Sequence, residues 1–133
     1  MDGNKIRNWF ETAFLEVKWF FQRLFRGYSD YDLIDYGEFA CQKLLPSLKA
    51  WVAHERHGYP SSFKNMEEWN EVLGKILWAV EETATNKHEH DLYENWEKDG
   101  LTEDERREHI QSIWDRTEEG MKLLGEYLPA MWD

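Results

Sequence analysis

Residues with the chemistry for catalysis or metal binding are present in this chain, but their spacing is wrong for it. His54-Glu55-Arg56-His57 sets two imidazoles three residues apart, where a helical zinc site needs them four apart on one face. His88-Glu89-His90 places its rings on alternate residues, which point apart on a helix, and no Glu-x-x-His pair of the di-iron kind occurs. Glu68/Glu71, Glu94/Glu97 and Glu105/Glu108 each put two carboxylates on one helical face, as Mg²⁺-dependent phosphohydrolases do. The downstream Glu-x-x-Asp pair that completes such a site does not follow. Cys41 sits among Phe39, Ala40 and Leu44 as a small hydrophobe, and neither Ser61 nor Ser62 lies in a Gly-x-Ser-x-Gly elbow. The expectation is a protein with no catalytic residues, no metal and no cofactor.

The polar residues that stand out gather at helix junctions. Arg26, Tyr28, Ser29 and Asp32 fall between the first and second predicted helices, and His57 and Tyr59 between the second and third. Arg116 and Glu119 are one turn apart near the inner stripe of the last. A guanidinium beside a core needs an anionic partner, either an internal acid such as Asp32 or Asp35 or the phosphate of a ligand. If the partner is a ligand, Arg26 and Arg116 neutralise phosphate. Tyr28, Tyr59 and Trp69 then stack on a base, and Ser29, Asp32 and His57 hydrogen-bond ribose or base.

Composition narrows the partners. The 133 residues carry 16 Lys and Arg against 27 Asp and Glu, a net charge of −11, which argues against direct nucleic-acid binding. One cysteine leaves no disulfide framework. Aromatics make up 16% of the chain, eight of them Trp, more flat amphipathic surface than a core of this size needs. Residues 88–108 hold nine acids and three bases, an acidic surface able to imitate DNA or to remain a solvated face. Residues 1–26 are the exception, with five basic and three acidic side chains. Glu11, Glu16 and Lys18 interrupt any apolar run there, so neither a signal peptide nor a membrane span is expected, and packing or a dimer contact is favoured over a membrane surface.

The elements that position these residues are helices. Ile6, Phe10, Ala13, Val17, Phe20 and Leu24 step by four and three, which predicts a helix over about 4–25, widened by Trp9, Phe14, Trp19, Phe21 and Phe25. Gly27 suits its C-terminus, and Ser29 with Asp32 reads as the cap of a second helix over about 30–56, kinked at Pro46. Asn65 with Glu68 starts a third, and Thr102 with Glu105 a last over about 103–128, ended by Pro129. Residues about 86–101 read as a polar loop or a frayed helix extension. With no strand-like alternation, the expectation is all-α: residues 1–133 as a single domain, a bundle of four main helices with the second kinked.

An ordered set of these features resembles a family of small acidic tailed-bacteriophage proteins. The set is the aromatic, basic first helix; Arg26-Gly27-Tyr28-Ser29 with Asp32; Leu44-Leu45-Pro46 and Leu48-Lys49; His57-Gly58-Tyr59-Pro60; Glu67-Glu68-Trp69 with Ile76-Leu77 and Glu81; and Arg116 with Glu119-Gly120-Met121, ending in Trp132. Ile34 and Gly37 stand where that pattern usually has Trp and Asp. The resemblance covers most of the chain outside about 85–105. It implies a phage product in the cytoplasm of an infected bacterium and carries no activity. The resulting expectation is a non-enzymatic counter-defence protein that sequesters a nucleotide-derived immune signal. The alternatives are an inhibitor that engages a host defence protein through an acidic or aromatic surface, and a protein that self-associates through its first helix.

Overall fold

The computed structural model describes residues 2–132, and among them every regular element is helical. The helices are α1 (Gly3–Arg26), α2 (Tyr36–Ala53), α3 (Met66–Thr85), α4 (Lys87–Glu94) and α5 (Glu103–Tyr127), with 3₁₀ turns at Tyr31–Leu33 and Leu128–Ala130. The chain divides into two compact units, Met1–Phe39 and Ala40–Asp133. None of these helices is long and apolar enough to cross a membrane.

In the first unit, Asp2 caps α1 by accepting from Asn4 N, and Gly27 ends it at φ 84°, a conformation costly for any residue with a Cβ. Ser29 and Asp32 form a reciprocal box: Ser29 N donates to Asp32 Oδ2 at 2.7 Å and Asp32 N to Ser29 Oγ at 3.2 Å. That box closes the 3₁₀ turn at Tyr31–Leu33 and not, as the sequence predicts, the second helix. Asp35 is the capping residue of α2, since its Oδ1 accepts from Glu38 N, and the helix accordingly starts at Tyr36 instead of residue 30.

The second unit holds the core. Trp69, Leu73, Ile76 and Val80 of α3 are buried with Cys41 and Leu48 of α2, and Leu124 and Tyr127 of α5 pack against them. Each large side chain so enclosed contributes about 1.5–3 kcal/mol. Gly120 fixes how closely α5 crosses α3: a Cβ there would lie 2.3 Å from Ala79 Cβ and 2.5 Å from Lys75 O. The predicted caps form, with Glu68 N donating to Asn65 Oδ1 and Glu105 N to Thr102 Oγ1. Helix α2 stops at Ala53, before the predicted residue 56, because the Arg56 guanidinium turns back and donates to the carbonyls of Trp51, Val52 and His54.

Residues 87–94, read from sequence as loop or as an extension of the third helix, form α4. Asn86, at φ 51°, breaks the chain direction after α3. The buried Glu82 carboxylate then caps the new helix, accepting from His88 N and Glu89 N at 3.1 Å. Sequence reading missed this because the capping acid belongs to the preceding helix.

Candidate functional site

The nine residues singled out by the sequence fall in three places. Arg26, Tyr28, Ser29 and Asp32 brace the turn after α1. Arg26 Nη2 meets Asp30 Oδ1 at 2.5 Å and its Nε donates to Tyr28 O at 3.0 Å, while the guanidinium lies 4.4 Å over the Tyr28 ring. Asp32 is gripped by Arg23, whose Nε and Nη2 donate at 3.1 and 2.8 Å. The Arg23 hydrogen bonds, reinforced by Ser29 and opposed by burial, hold the Asp32 carboxyl well below the usual carboxylate range. Gln22 Nε2 donates to Asp30, and Trp19 packs on Tyr31 with ring centroids 4.9 Å apart. Arg23 is the residue that the sequence reading overlooked. It stands one turn before Arg26 with Asp32 nine positions on, a signal too loose to find by inspection.

His57, Tyr59 and Trp69 come together in the second unit. With Pro60, Ala130 and Trp132 they line an open pocket of about 250 Å³. The loop ahead of α3 positions them: Tyr59 Oη donates to Lys64 O and Lys64 N to Glu68 Oε2, which ties the loop to the first turn of the helix. Trp69 is only 1% exposed, because Phe63 and Tyr127 cover its ring at centroid distances of 5.2 and 5.6 Å. It therefore supplies the pocket's floor and not a free stacking face. Trp132, absent from the predicted set, is 77% exposed at the rim.

Arg116 and Glu119 lie elsewhere on α5. The Arg116 guanidinium sits 4.0 Å over the Trp78 ring, and Glu119 meets Lys75 Nζ at 3.0 Å. The acids proposed as internal partners for Arg116 are engaged by Arg23 and by the start of α2. His88 also packs on Trp78, ring centroids 5.1 Å apart, and His88 Nδ1 is 2.6 Å from Glu82 Oε2. Burial would raise the Glu82 pKa, but hydrogen bonds from the His88 and Glu89 backbone and the His88 ring outweigh it and hold the carboxyl below its usual range. Among the described residues, no three His, Cys, Asp or Glu side chains are grouped to hold a metal ion.

The largest feature is the apolar face of α1. This helix buries no residue. Phe10, Phe14, Phe20, Leu24 and Phe25 are each 60–82% exposed, and Trp9 63%. The turn that docks on α1 uses the other side, through Trp19, Gln22 and Arg23. From the exposed fractions, at about 150–250 Å² per ring, the face presents on the order of 1,000 Å² of apolar surface, where monomers rarely show patches above about 600 Å².

Searches against protein-family models, curated proteins and solved structures find no match to this chain.

Proposed function

We propose that this is a non-enzymatic binding protein whose working surface is the apolar face of α1, with residues 40–132 as its folded body. The observation that carries this reading is a 24-residue helix with no buried residue and a continuous aromatic face. Rings in such density cost solubility unless they meet a partner, and aromatic anchors dominate interface energies. The setting suggested by the sequence resemblance is a phage product in the bacterial cytoplasm, where the partner is a host defence protein or a second copy. The same proposal includes a bend of α2 at Pro46, which has no N–H to donate to the preceding turn. Light scattering and capture from host lysate, on the wild type and on Phe10→Asp/Phe21→Asp, test it. The wild type is expected in a complex larger than 16.1 kDa and the variant as a monomer that melts at the temperature of the wild type diluted to monomer. Two monomers that capture nothing would overturn it.

A second reading, favoured by the His57–Trp132 pocket, is sequestration of a nucleotide-derived signal. The pocket's volume lies just below the usual range for small-molecule sites, about 300–1,000 Å³, so it suits one planar base of a larger nucleotide against Tyr59 and Trp132, with the rest of the ligand outside. Thermal melting with ADP-ribose and cyclic dinucleotides checks this: ligand at a hundredfold above its Kd adds about 2.7 kcal/mol, and Tyr59→Ala should abolish the shift. No shift with any of them would end the reading.

A further inference from the structure

We infer that the occupant of the α1 face is a second copy of this chain, with the two α1 helices running antiparallel. This rests on the reading of α1 as the working surface and names its partner. Phe10, Phe14, Val17, Phe21 and Leu24 step by four, three, four and three, the alternation that forms the seam of a two-helix coiled coil. Helix α1 is about 36 Å long at 1.5 Å per residue, so this seam runs for most of its length. The exposed apolar face around it, with Trp9, Phe20 and Phe25 beside the seam, is on the order of 1,000 Å², comparable to the roughly 800 Å² per partner of a standard interface. The turn at residues 28–33 leaves the seam residues clear: its contacts are to Trp19, Gln22, Arg23 and Arg26 on the other side, and at the seam's edge it reaches only Lys18, through Asp30 at 3.6 Å.

Charge at the edge of the seam sets the direction. Glu11 and Lys18 are seven residues apart and so occupy the same flank. In an antiparallel pair with Phe14 opposite the partner's Val17 and Phe21 opposite the partner's Phe10, equivalent flanks meet. Glu11 then faces the partner's Lys18, and by symmetry the pair forms twice. A parallel pair would instead set Glu11 and Lys18 against Ile6 and Ala13 of the other copy and stack Arg7 on Arg7. Within the chain both side chains are held loosely: Glu11 is 3.8 Å from Arg7, and Lys18 3.6 Å from Asp30, each contact well exposed. Exposed pairs of this kind contribute little, so both groups are available across the seam. Glu11 at the seam edge and the engagement of Arg23 by Asp32 and of Arg26 by Asp30 weigh against an anionic lipid surface, which recruits helices whose polar face is rich in unpaired cations.

Two measurements on the full chain test the inference. Glu11→Lys and Lys18→Glu should each weaken the dimer roughly tenfold, and combining them should restore it, since the pairs re-form with reversed sign. Nitroxides at Asn4→Cys in a Cys41→Ala background should lie about 35 Å or more apart in the antiparallel dimer and under about 20 Å apart in a parallel one. A long distance with rescue by the double variant supports the proposal. A short distance overturns the antiparallel arrangement while leaving α1 as the interface. A monomer that captures a host protein through α1, or that sediments with phosphatidylglycerol vesicles, overturns the second copy as occupant. Of these two, only vesicle binding without protein capture also removes the protein–protein reading.

Discussion

Helices α1 and α3 carry the same apolar spacing and meet opposite fates. Helix α3 buries Trp69, Leu73, Ile76, Ala79 and Val80; α1 buries nothing. The difference lies in the neighbours. Opposite α3 stands Gly120, which lets α5 approach to backbone contact, and α2 supplies Cys41 and Leu48 from another direction. Helix α1 belongs to a unit of 39 residues, near the size below which a chain cannot enclose a core without a staple or a partner. Its own turn covers only the opposite side, at Trp19, Gln22 and Arg23. An amphipathic pattern thus says that a helix face will be covered, and leaves open whether the cover comes from the same chain.

Substitutions test that contrast. The largest effect is expected from Leu73→Ala, at about 2–5 kcal/mol, because the enclosed side chain leaves a cavity that α3 and α5 cannot close. Gly120→Ala should cost about 1–3 kcal/mol by forcing α5 away from Ala79 and Lys75, or more if the helices cannot yield. Both are read as a fall in the melting temperature. Phe14→Ala on α1 should change the fold's own stability by less than about 0.5 kcal/mol at concentrations where the protein is monomeric. A loss comparable to that of Leu73→Ala would show that α1 is core after all, and the contrast would fail.

Acid offers a smaller probe inside the second unit. The Glu82 pKa is lowered by folding, so its contribution is fully present above the ordinary glutamate value of 4.5 and is lost as pH falls through the lower folded value. Melting temperature measured across that range should therefore drop on acidification, and less steeply in Glu82→Gln. Equal slopes in the two proteins would mean that the cap on α4 contributes nothing through charge.

Much of this was legible in the sequence, and the reason is local. Gly27, the Asn65/Glu68 and Thr102/Glu105 caps, the limits of α1 and α5 and the start of α3 depend on residues within one turn of each other, so spacing reveals them. The start of α2 differs from expectation because Ser29 with Asp32 has the pattern of a helix cap but closes a 3₁₀ turn, while the cap of α2 is Asp35, six residues after Ser29 and not singled out by spacing. Helix α4 was missed because its cap, Glu82, lies in the helix before it. For the candidate site, His57, Tyr59 and Trp69 converge because they border one loop. Arg116 settles on Trp78, 38 positions away, and no local pattern marks such a pair.

Light scattering of the wild type and of Phe10→Asp/Phe21→Asp, at matched melting temperatures, addresses the role of α1 most directly. A wild-type mass of twice 16.1 kDa is expected, falling to 16.1 kDa in the variant with the fold intact. A wild type that stays monomeric at every concentration, with a variant that melts several degrees lower, would place the α1 face inside the folded chain and contradict that role.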